Sequence, residues 1–585
     1  MTDTIDLAEY LWLRLKQLGV NTVHGVPGDY NLCALDYIEP LGLHWAGNSN
    51  ELNAGYAVDA YARVKGIGAL ITTSGVGELS AINAIAGAYA ERSPVVHITG
   101  TPPTTAQSSG AFLHHTMGDG DFRRFAKMAQ HVVVAQANLC NRDTAPDDVD
   151  RVLRMCKLHS RPVYIELPTD MVKTQVPGSR LENAIDLTVP RSPNDQALEA
   201  AAAVILDRLY AARQPFLLLD GLLTRYNSRE EAGELTRALG IPTCSTAFGK
   251  SVLVDRPPNY YGVYAGTTGD QSLHSWVQHC DLVLALGPLF CDSNTFGFTT
   301  KPDPALTIAI HKDHVEFGSQ DEIKTILNVP MKQLLQAMLG RLDPAKLKSQ
   351  TTDSTSPLLS SVTKSSPMVS PDASGALHHQ ELWKFISPHL AEGDIVLADT
   401  GTSSIGSSAL RLPARCSYIT SPLWLSIGFA LPAAAGASAA EHDIATAAKR
   451  PAGRTILFEG DGSFQMTVQS VSDMIRARLN VIIFVLNNNG YTVERWIHGM
   501  EAEYNNIAPW QYLRTADYFG APQDEESYPV IARRASTWKE LTAVLRDPVI
   551  IKGQGLAIVE LILGESDAPV ALQEMAAAAA QKFCS

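Results

Sequence analysis

Short apolar runs alternate with amphipathic stretches along this chain, and the two patterns predict strands and helices in turn. In the first third, an amphipathic stretch at 7–18 predicts a helix. Strands are predicted at 22–25, 70–73, 95–99 and 163–167. Because helical patterns separate these strands, we expect a mostly parallel sheet that helices cover on both faces.

Two further blocks repeat the alternation. The second begins near Gln196, with strands predicted at 215–220, 282–286 and 306–311. The third begins near Ala376, with strands predicted at 395–398, 455–459, 481–487 and 557–563. A chain of 585 residues also exceeds what a single core organises. The predicted fold is therefore α/β, with three doubly wound, mostly parallel-sheet domains at 1–190, 195–343 and 375–585.

Two polar stretches interrupt these blocks. Residues 344–374 are rich in Ser, Thr and Pro, which is typical of a linker. Residues 441–453 are predicted to form a polar insertion before the strand at 455–459.

Polar residues follow two neighbouring apolar runs of the third block. Gly460-Asp461-Gly462 ends one run and Asn487-Asn488 ends the next, with 24 residues between Gly462 and Asn487. That spacing accommodates one helix and one strand, so the segment predicts a parallel βαβ unit. Both strand ends then meet at one sheet edge, where open α/β sheets bind ligands. Asp461 and Asn488 would offer Mg²⁺ hard oxygen ligands, and the glycines would admit a phosphate.

Composition narrows the classes of function. Apolar residues make up 45% and charged residues 18%, as in ordinary soluble proteins. The net charge of −14 argues against a nucleic-acid partner, and no apolar run reaches the length of a membrane span. The eight cysteines form no CxxC pair and the N-terminus is acidic, so we expect a cytoplasmic protein that acts on a small molecule.

The GDG–24–NN arrangement resembles the diphosphate-binding motif of thiamine-diphosphate enzymes. The alternative is an ordinary βαβ unit with two polar turns. The resemblance implies thiamine diphosphate and Mg²⁺ as cofactors. It implies metal ligation by Asp461, Asn488 and the carbonyl of Gly490, and cofactor contacts from Gly460, Gly462 and Ser463.

Glu51 lies at a predicted strand–helix junction, where a glutamate more often complements the helix dipole. With VPGDY at 26–30 and GVGEL at 75–79, however, the first block resembles the pyrimidine-binding domain of the same enzymes. The resemblance implies that Glu51 hydrogen-bonds the cofactor pyrimidine and promotes removal of the thiazolium proton.

Two more motifs resemble the decarboxylase branch of this superfamily. The first is LHHTMGDGDF at 113–122, in which His114 and His115 could relay protons. Without this context the histidine pair would read as part of a polar loop. The second is NGYTVE at 489–494, which would make Glu494 a catalytic acid rather than a surface helix residue.

Nearly the whole chain resembles the pyruvate decarboxylases. That likeness places Thr400, Trp424 and Ile427 at the cofactor, with Ile427 supporting its bent shape; plain core packing is the alternative for Ile427. It implies non-oxidative conversion of pyruvate to acetaldehyde and CO₂ through an ylide and an enamine. Asp29, His114, His115 and Glu494 would transfer protons and hold the substrate carboxylate.

The family builds each site from the first domain of one subunit and the third domain of another. We therefore expect a homo-oligomer, with a dimer as the minimum and a tetramer as the usual state. The middle domain is expected to be structural or regulatory.

Three departures from the family pattern stand out. The stretch 219–225 lacks the cysteine that is linked to substrate activation in yeast-type relatives, and Arg92 replaces a nearby histidine. Ser293 replaces an aromatic residue near the substrate, which Phe290, Phe296 or Phe298 could compensate. Leu425 replaces a glycine beside Trp424.

These departures keep alternatives open. A wider pocket would suit phenylpyruvate or indolepyruvate. A carboligase of the acetolactate synthase type shares the cofactor motifs, but the motifs at 113–122 and 489–494 argue against it. An inactive paralogue is the third alternative, and Leu425 is the change that would favour it.

Overall fold

The computed structural model describes residues 4–188, 195–319, 322–347 and 371–583, with side chains described as far as 577. Three α/β units each surround one sheet, which confirms the predicted fold class. We call them the first, middle and third domains. The linker predicted at 344–374 lies mostly outside the described residues, because 348–370 are not among them.

The sheet of the first domain has six parallel strands in the order β3-β2-β4-β5-β7-β6, and β1 pairs with β8 beside it. The strands are β1 Thr4–Asp6, β2 Thr22–Gly25, β3 His44–Trp45, β4 Gly68–Thr73, β5 Val95–Thr101, β6 Gln136–Asn138, β7 Val163–Pro168 and β8 Gln175–Pro177. The helices are Leu7–Gln17, Leu32–Leu35, Glu51–Lys65, Val76–Ala90, Thr104–Ser109, Arg124–Ala129 and Ala145–His159.

The middle domain has a seven-stranded sheet in the order β11-β10-β9-β12-β13-β14-β15. Its last two strands are antiparallel, an addition that the sequence pattern did not predict. The strands are β9 Pro215–Leu219, β10 Thr243–Ser245, β11 Tyr260–Val263, β12 Leu282–Leu286, β13 Thr307–Ile310, β14 His314–Gly318 and β15 Ile323–Leu327. The helices are Asp195–Ala211, Leu222–Arg225, Arg229–Leu239, Gln271–Val277 and Met331–Arg341.

The third domain has six parallel strands in the order β17-β16-β18-β19-β21-β20. They are β16 Ile395–Ala398, β17 Ser417–Ile419, β18 Thr455–Gly460, β19 Val481–Asn487, β20 Val530–Ala535 and β21 Leu556–Ile562. The helices are His379–Ile386, Thr402–Ser407, Ala430–Ala447, Asp461–Thr467, Ser470–Arg476, Thr492–Ile497, Thr515–Tyr518, Trp538–Leu545, Pro548–Lys552 and Val570–Phe583.

The polar insertion predicted at 441–453 is wrong in its first half. The helix Ala430–Ala447 continues through residues 441–447. Glu441 lies on this helix and is buried. The Glu441 carboxylate accepts hydrogen bonds from the Arg450 guanidinium at 2.6 Å and from the Gly453 backbone at 2.7 Å. The return loop is therefore tied to the helix.

Two helices join the first domain to the third. The helix Glu51–Lys65 crosses Ala430–Ala447 so closely that a Cβ at Gly436 would lie 1.8 Å from the Ala57 carbonyl oxygen. Beside the crossing, the Asp443 carboxylate accepts hydrogen bonds from the hydroxyls of Tyr61 at 2.7 Å and Thr22 at 2.9 Å. The small side chain at 436 thus fixes how the two domains of one chain pack.

We expect Gly436→Ala to destabilise the protein by about 1–3 kcal/mol, since the added methyl group overpacks a backbone contact. Thermal unfolding measures this as a lower midpoint. Gly340→Ala is the matched control, because Gly340 lies in the helix Met331–Arg341 with nothing within 4 Å of an added Cβ. Helix propensity alone favours that control by about 0.5–1 kcal/mol. An equal or higher midpoint for Gly436→Ala would contradict the close crossing.

Candidate active site

The predicted metal ligands lie together at the carboxyl edge of the third sheet. Asp461 follows β18 and begins a helix, and Asn488 follows the neighbouring β19. Both residues are buried. The Asp461 carboxylate accepts backbone hydrogen bonds from Gly462 at 2.8 Å and Gly490 at 3.0 Å. Burial nevertheless raises the pKa of Asp461 to about 6, so a cation nearby would offset the cost of its charge.

Three oxygens converge at this edge. The side-chain oxygen of Asn488 lies 3.0 Å from the Gly490 carbonyl oxygen and 3.1 Å from Asp461 Oδ1. With no cation present, turning the Asn488 amide over would let its nitrogen donate to both oxygens; with a cation present, its oxygen would face the ion instead. Carboxylate, amide and backbone oxygens are the donors that Mg²⁺ takes. The residues present therefore fit Mg²⁺.

A cavity of about 340 Å³ opens beside these oxygens. Gly460, Gly462 and Ser463 line it, and a Cβ at Gly462 would lie 2.5 Å from the Tyr491 ring. Thr400 and Ser403 also line it, and their buried hydroxyls have no hydrogen-bond partner. Buried hydroxyls without partners are costly, and a ligand rich in acceptor oxygens would satisfy them. The cradle thus fits a diphosphate next to the metal position.

Ile427 lines the same cavity, and the buried Asp399 holds its backbone in place. The Asp399 carboxylate accepts hydrogen bonds from the backbone of Gly428 and Ala430, both at 3.0 Å. Burial raises the pKa of Asp399 to about 6 despite these bonds. Asp399 is thus a positioning residue for Ile427, and the sequence alone did not single it out.

The loop that carries Trp424 is attached to the first domain of the same chain. Glu91 Oε1 accepts hydrogen bonds from the backbone of Leu423 at 2.8 Å and Trp424 at 2.9 Å. The Trp424 indole donates to Asn83 Oδ1 at 3.0 Å, and Trp424 is not among the residues that line the cavity. Leu425 does line it, with a φ of +56° that explains why glycine suits this position.

Asp29, His114 and His115 form a second group, at the first sheet. Asp29 Oδ2 and His114 Nε2 are in hydrogen-bond contact, and the Tyr30 ring stacks on His114 with centroids 5.1 Å apart. His115 lies against His114, with centroids 4.8 Å apart. Burial alone would raise the pKa of Asp29, but the hydrogen bond from His114 and the charges of both histidines lower it. The group can therefore hold and pass a proton.

Glu51 lies on the same side of the first domain and is not the cap of its helix. The Asn50 side chain caps that helix by accepting a hydrogen bond from the Asn53 backbone at 2.8 Å. A Cβ added at Gly77 would lie 3.1 Å from Glu51 Oε1 and 3.2 Å from a Thr73 methyl carbon. Thr73 in turn donates to Asp29 Oδ1 at 3.4 Å. Thr73 thus links the surroundings of Glu51 to the second group.

The four predicted catalytic residues of the first domain, Asp29, Glu51, His114 and His115, are not among the residues that line the third-domain cavity of the same chain. Glu494 lines the third-domain cavity with Asp461 and Asn488, in the first turn of the helix Thr492–Ile497. In the parts of the chain that the structure describes, no hydrogen bond or ion pair joins Asp29, Glu51, His114 or His115 to the cavity residues.

The middle domain supplies one wall of the cavity. Ser293 lines it together with Phe296 and with Phe248, which the sequence did not suggest. Phe290 packs against the core of the middle domain and Phe298 is exposed, so Phe296 is the only one of the three suggested phenylalanines that lines the cavity.

The buried Asp220, in the stretch that lacks the cysteine, holds this wall. Its carboxylate accepts hydrogen bonds from the Leu289 backbone at 2.7 Å and from the Asn294 amide at 3.0 Å. A thiol does lie nearby, because Cys291 Sγ is 3.4 Å from Ser293 Oγ. The sequence pattern pointed to neither residue.

Family descriptions of thiamine pyrophosphate enzymes match each of the three domains. The family descriptions that match are "Thiamine pyrophosphate enzyme, N-terminal TPP binding domain" at 5–122, the central domain at 202–338 and the C-terminal TPP binding domain at 399–561.

Within the described residues, the helices are too short or too polar to cross a membrane.

Similar proteins carry the name pyruvate decarboxylase. One from Aspergillus parasiticus is 43% identical over 97% of this chain and 96% of its own length. One from Aspergillus fumigatus is 42% identical over 99% and 97%, and isozyme 3 of Saccharomyces cerevisiae is 39% identical over 98% of each chain. The chain therefore belongs to the pyruvate decarboxylase family of thiamine pyrophosphate enzymes.

Proposed function

We propose that this protein decarboxylates pyruvate without oxidation, giving acetaldehyde and CO₂, with thiamine diphosphate and Mg²⁺ as cofactors. The observation that carries the proposal is the convergence of the Asp461, Asn488 and Gly490 oxygens beside a cavity with unpaired hydroxyls. The family supports pyruvate as the substrate, because relatives with that name align over nearly the full chain.

The third domain would bind and shape the cofactor. When bound, thiamine diphosphate supplies a carbon nucleophile and an electron sink for the departure of CO₂. Asp461, Asn488 and the Gly490 carbonyl would hold Mg²⁺, and the hydroxyls of Thr400 and Ser403 would donate to the diphosphate. Ile427, whose neighbouring backbone is bound by Asp399, would orient the rings.

The remaining residues hold and move protons. Glu51 would donate to the pyrimidine nitrogen. Asp29 and His114 share a hydrogen bond that can carry a proton to the product carbon, and His115 lies within reach of them. Glu494 faces the cavity from the third domain. We assign the proton transfers to these groups jointly.

We propose a homodimer as the smallest active unit and a tetramer as the assembled state. The separation of the two groups within one chain supports this, because a second chain would complete each site. Large apolar side chains exposed near both groups support it as well, since exposed apolar patches mark contact surfaces. They are Leu32, Val76, Phe112 and Met117 near the Asp29–His114–His115 group, and Leu423, Leu425 and Met466 near the third-domain cavity.

We also propose the domain division 1–190, 195–343 and 375–585, and a fermentative role in the cytoplasm with neither nucleic acid nor membrane as a partner. Each sheet is built from one continuous stretch of chain, which supports the division. The described cysteines are all free, which suits a reducing compartment.

Ser293 favours a second candidate substrate class. The small side chain lines the cavity where an aromatic residue is usual, so bulkier 2-oxo acids are the alternative to pyruvate. Phe248 and Phe296 also line the cavity and supply apolar walls beside Ser293, so pyruvate remains the preferred candidate substrate. The Asp29–His114–His115 group argues against a carboligase. The residues expected at the metal and proton-transfer positions are all present, which argues against an inactive paralogue.

With both cofactors present, we expect aldehyde release to be fastest from pyruvate, because the two phenylalanines narrow the cavity. Coupling to alcohol dehydrogenase measures the rates for pyruvate, 2-oxobutyrate, phenylpyruvate and indolepyruvate in parallel. A higher kcat/KM for an aromatic acid would mean that the substrate is an aromatic 2-oxo acid and that the reaction class stays the same. Release of acetolactate instead of aldehyde would favour the carboligase, and no turnover of any acid would favour the paralogue.

We expect Asp461→Asn to abolish stabilisation by the cofactors, since it removes the one charged metal ligand. At cofactor concentrations about 100 times the wild-type Kd, binding stabilises a protein by about 2.7 kcal/mol. Thermal unfolding with and without thiamine diphosphate and Mg²⁺ measures the shift. Asp517→Asn, an exposed aspartate of the same domain, serves as the control and should keep it. A full shift in Asp461→Asn would refute the metal assignment.

A further inference from the structure

The middle domain carries two histidines and a glutamate that the proposed chemistry does not use. His311 and His314 flank the turn between β13 and β14, and Glu316 lies two residues further along β14. The His311 backbone donates a hydrogen bond to the His314 carbonyl at 2.9 Å, which closes the turn. The three residues thus belong to one tight antiparallel hairpin.

The register of the hairpin places the three side chains on one face. Ile310 pairs with Val315 in the ladder, so His311 faces His314 at the turn. Facing residues project to the same side, and so do His314 and Glu316, which are two apart in a strand. Ile310 and Val315 project to the opposite side, into the core of the middle domain. The core therefore holds the backbone beneath the cluster in place.

The ligand atoms are already close together. One nitrogen or oxygen from each residue lies within 4.8 Å of the other two. Glu316 lies 3.5 Å from His311 Nε2 and 4.0 Å from His314 Nε2, and the two rings stack with centroids 4.4 Å apart. An ion with tetrahedral bonds of about 2.0–2.1 Å spaces its ligands by roughly 3.3 Å, so small side-chain rotations suffice. His311 Nε2 is buried without a hydrogen-bond partner.

A fourth residue prepares one of the ligands. Asp313 Oδ1 lies 2.9 Å from His314 Nδ1, which favours the proton on that nitrogen and leaves Nε2 free to bind a metal. Metal-binding histidines commonly have such a carboxylate behind them.

The charges around the cluster suit a cation. The acidic groups that act on His311 are Glu316 and Asp313. The one cationic side chain of the turn, Lys312, is engaged elsewhere. Its ammonium lies 3.3 Å from His159 Nδ1 of the first domain and 5.4 Å from the centre of the Tyr226 ring.

We propose that His311, His314 and Glu316 form a second metal site, for a tetrahedral transition-metal ion such as Zn²⁺, with water as the fourth ligand. Two imidazoles and one carboxylate favour Zn²⁺ or Co²⁺ over Mg²⁺, which prefers oxygen ligands alone. The site is separate from the Mg²⁺ position on Asp461. A bound ion would hold the turn that carries Lys312, and with it the contact to His159 between the middle and first domains.

Titration of the holoprotein with Co²⁺, in excess Mg²⁺ and thiamine diphosphate, tests the proposal, because tetrahedral Co²⁺ absorbs visible light strongly. We expect His314→Gln and Glu316→Gln each to lose one equivalent of tetrahedral Co²⁺ relative to the unsubstituted protein. Asp313→Asn should keep the site but weaken it roughly 10–100-fold. Aldehyde release without added Co²⁺ should be unchanged in all three, which shows that they are folded.

Two controls separate this site from other Co²⁺ binding. His44→Gln removes an exposed histidine that also lies 3.5 Å from a glutamate, Glu39, and it should leave the stoichiometry unchanged. Asp29, His114 and His115 form another cluster that could hold an ion, and His115→Gln reports any equivalent bound there. If His314→Gln and Glu316→Gln bind as much tetrahedral Co²⁺ as the unsubstituted protein, or if His115→Gln removes all of it, the second site does not exist.

Discussion

The close crossing of two helices, one from each cofactor domain, is the constraint on which the rest of the structure depends. With no side chain at Gly436, the helix Ala430–Ala447 approaches the backbone of Ala57 within contact distance. The helix Glu51–Lys65 begins at Glu51, and the helix Ala430–Ala447 begins next to the residues that Asp399 holds. Moving either helix would therefore move part of the proposed site.

A second set of contacts connects the first domain to the loop that carries Trp424. Glu91 of the first domain binds the backbone at Leu423 and Trp424, and Arg225 of the middle domain donates to the Glu91 carbonyl at 3.2 Å. Through Glu91, the loop that carries Trp424 is thus bonded to the first domain, which is bonded in turn to the middle domain. Around the cavity, Asp399 and Asp461 are buried and have raised pKa values, so the third domain keeps carboxylates at a cost that a cation can offset.

Much of this could be predicted from the sequence, because parallel strands buried on both faces leave continuous apolar runs. The strands at 282–286, 395–398 and 481–487 have the predicted bounds. So does the strand at 22–25, although its sequence is not an apolar run. Short or exposed strands such as β15 and β20 were missed, since few of their residues are buried. Asp461 and Asn488 could be placed at one sheet edge because each follows a strand end, a pattern that is local in sequence. Glu494 was predicted from the resemblance of its motif to the decarboxylase branch.

Residues that act across the chain could not be found in that way. Glu91, Asp399 and Asp220 act by holding backbone from distant or adjoining segments, and no local pattern marks an acceptor for a loop more than 300 residues away. Phe248 reaches the cavity from the middle domain for the same reason. For Trp424, the family resemblance implied a place at the cofactor, but its side chain packs on the first domain and does not line the cavity.

The central claim is that each active site combines the first domain of one chain with the third domain of another. Coexpression of differently tagged Glu51→Gln and Glu494→Gln chains tests it, with aldehyde release measured on the purified mixed dimer. One of its two sites would then be intact and the other doubly substituted, so we predict roughly half of the wild-type rate while each variant alone is nearly inactive. If each site belonged to one chain, both sites of the mixed dimer would carry a substitution. A mixed dimer that binds cofactor but is no more active than either variant would contradict the account.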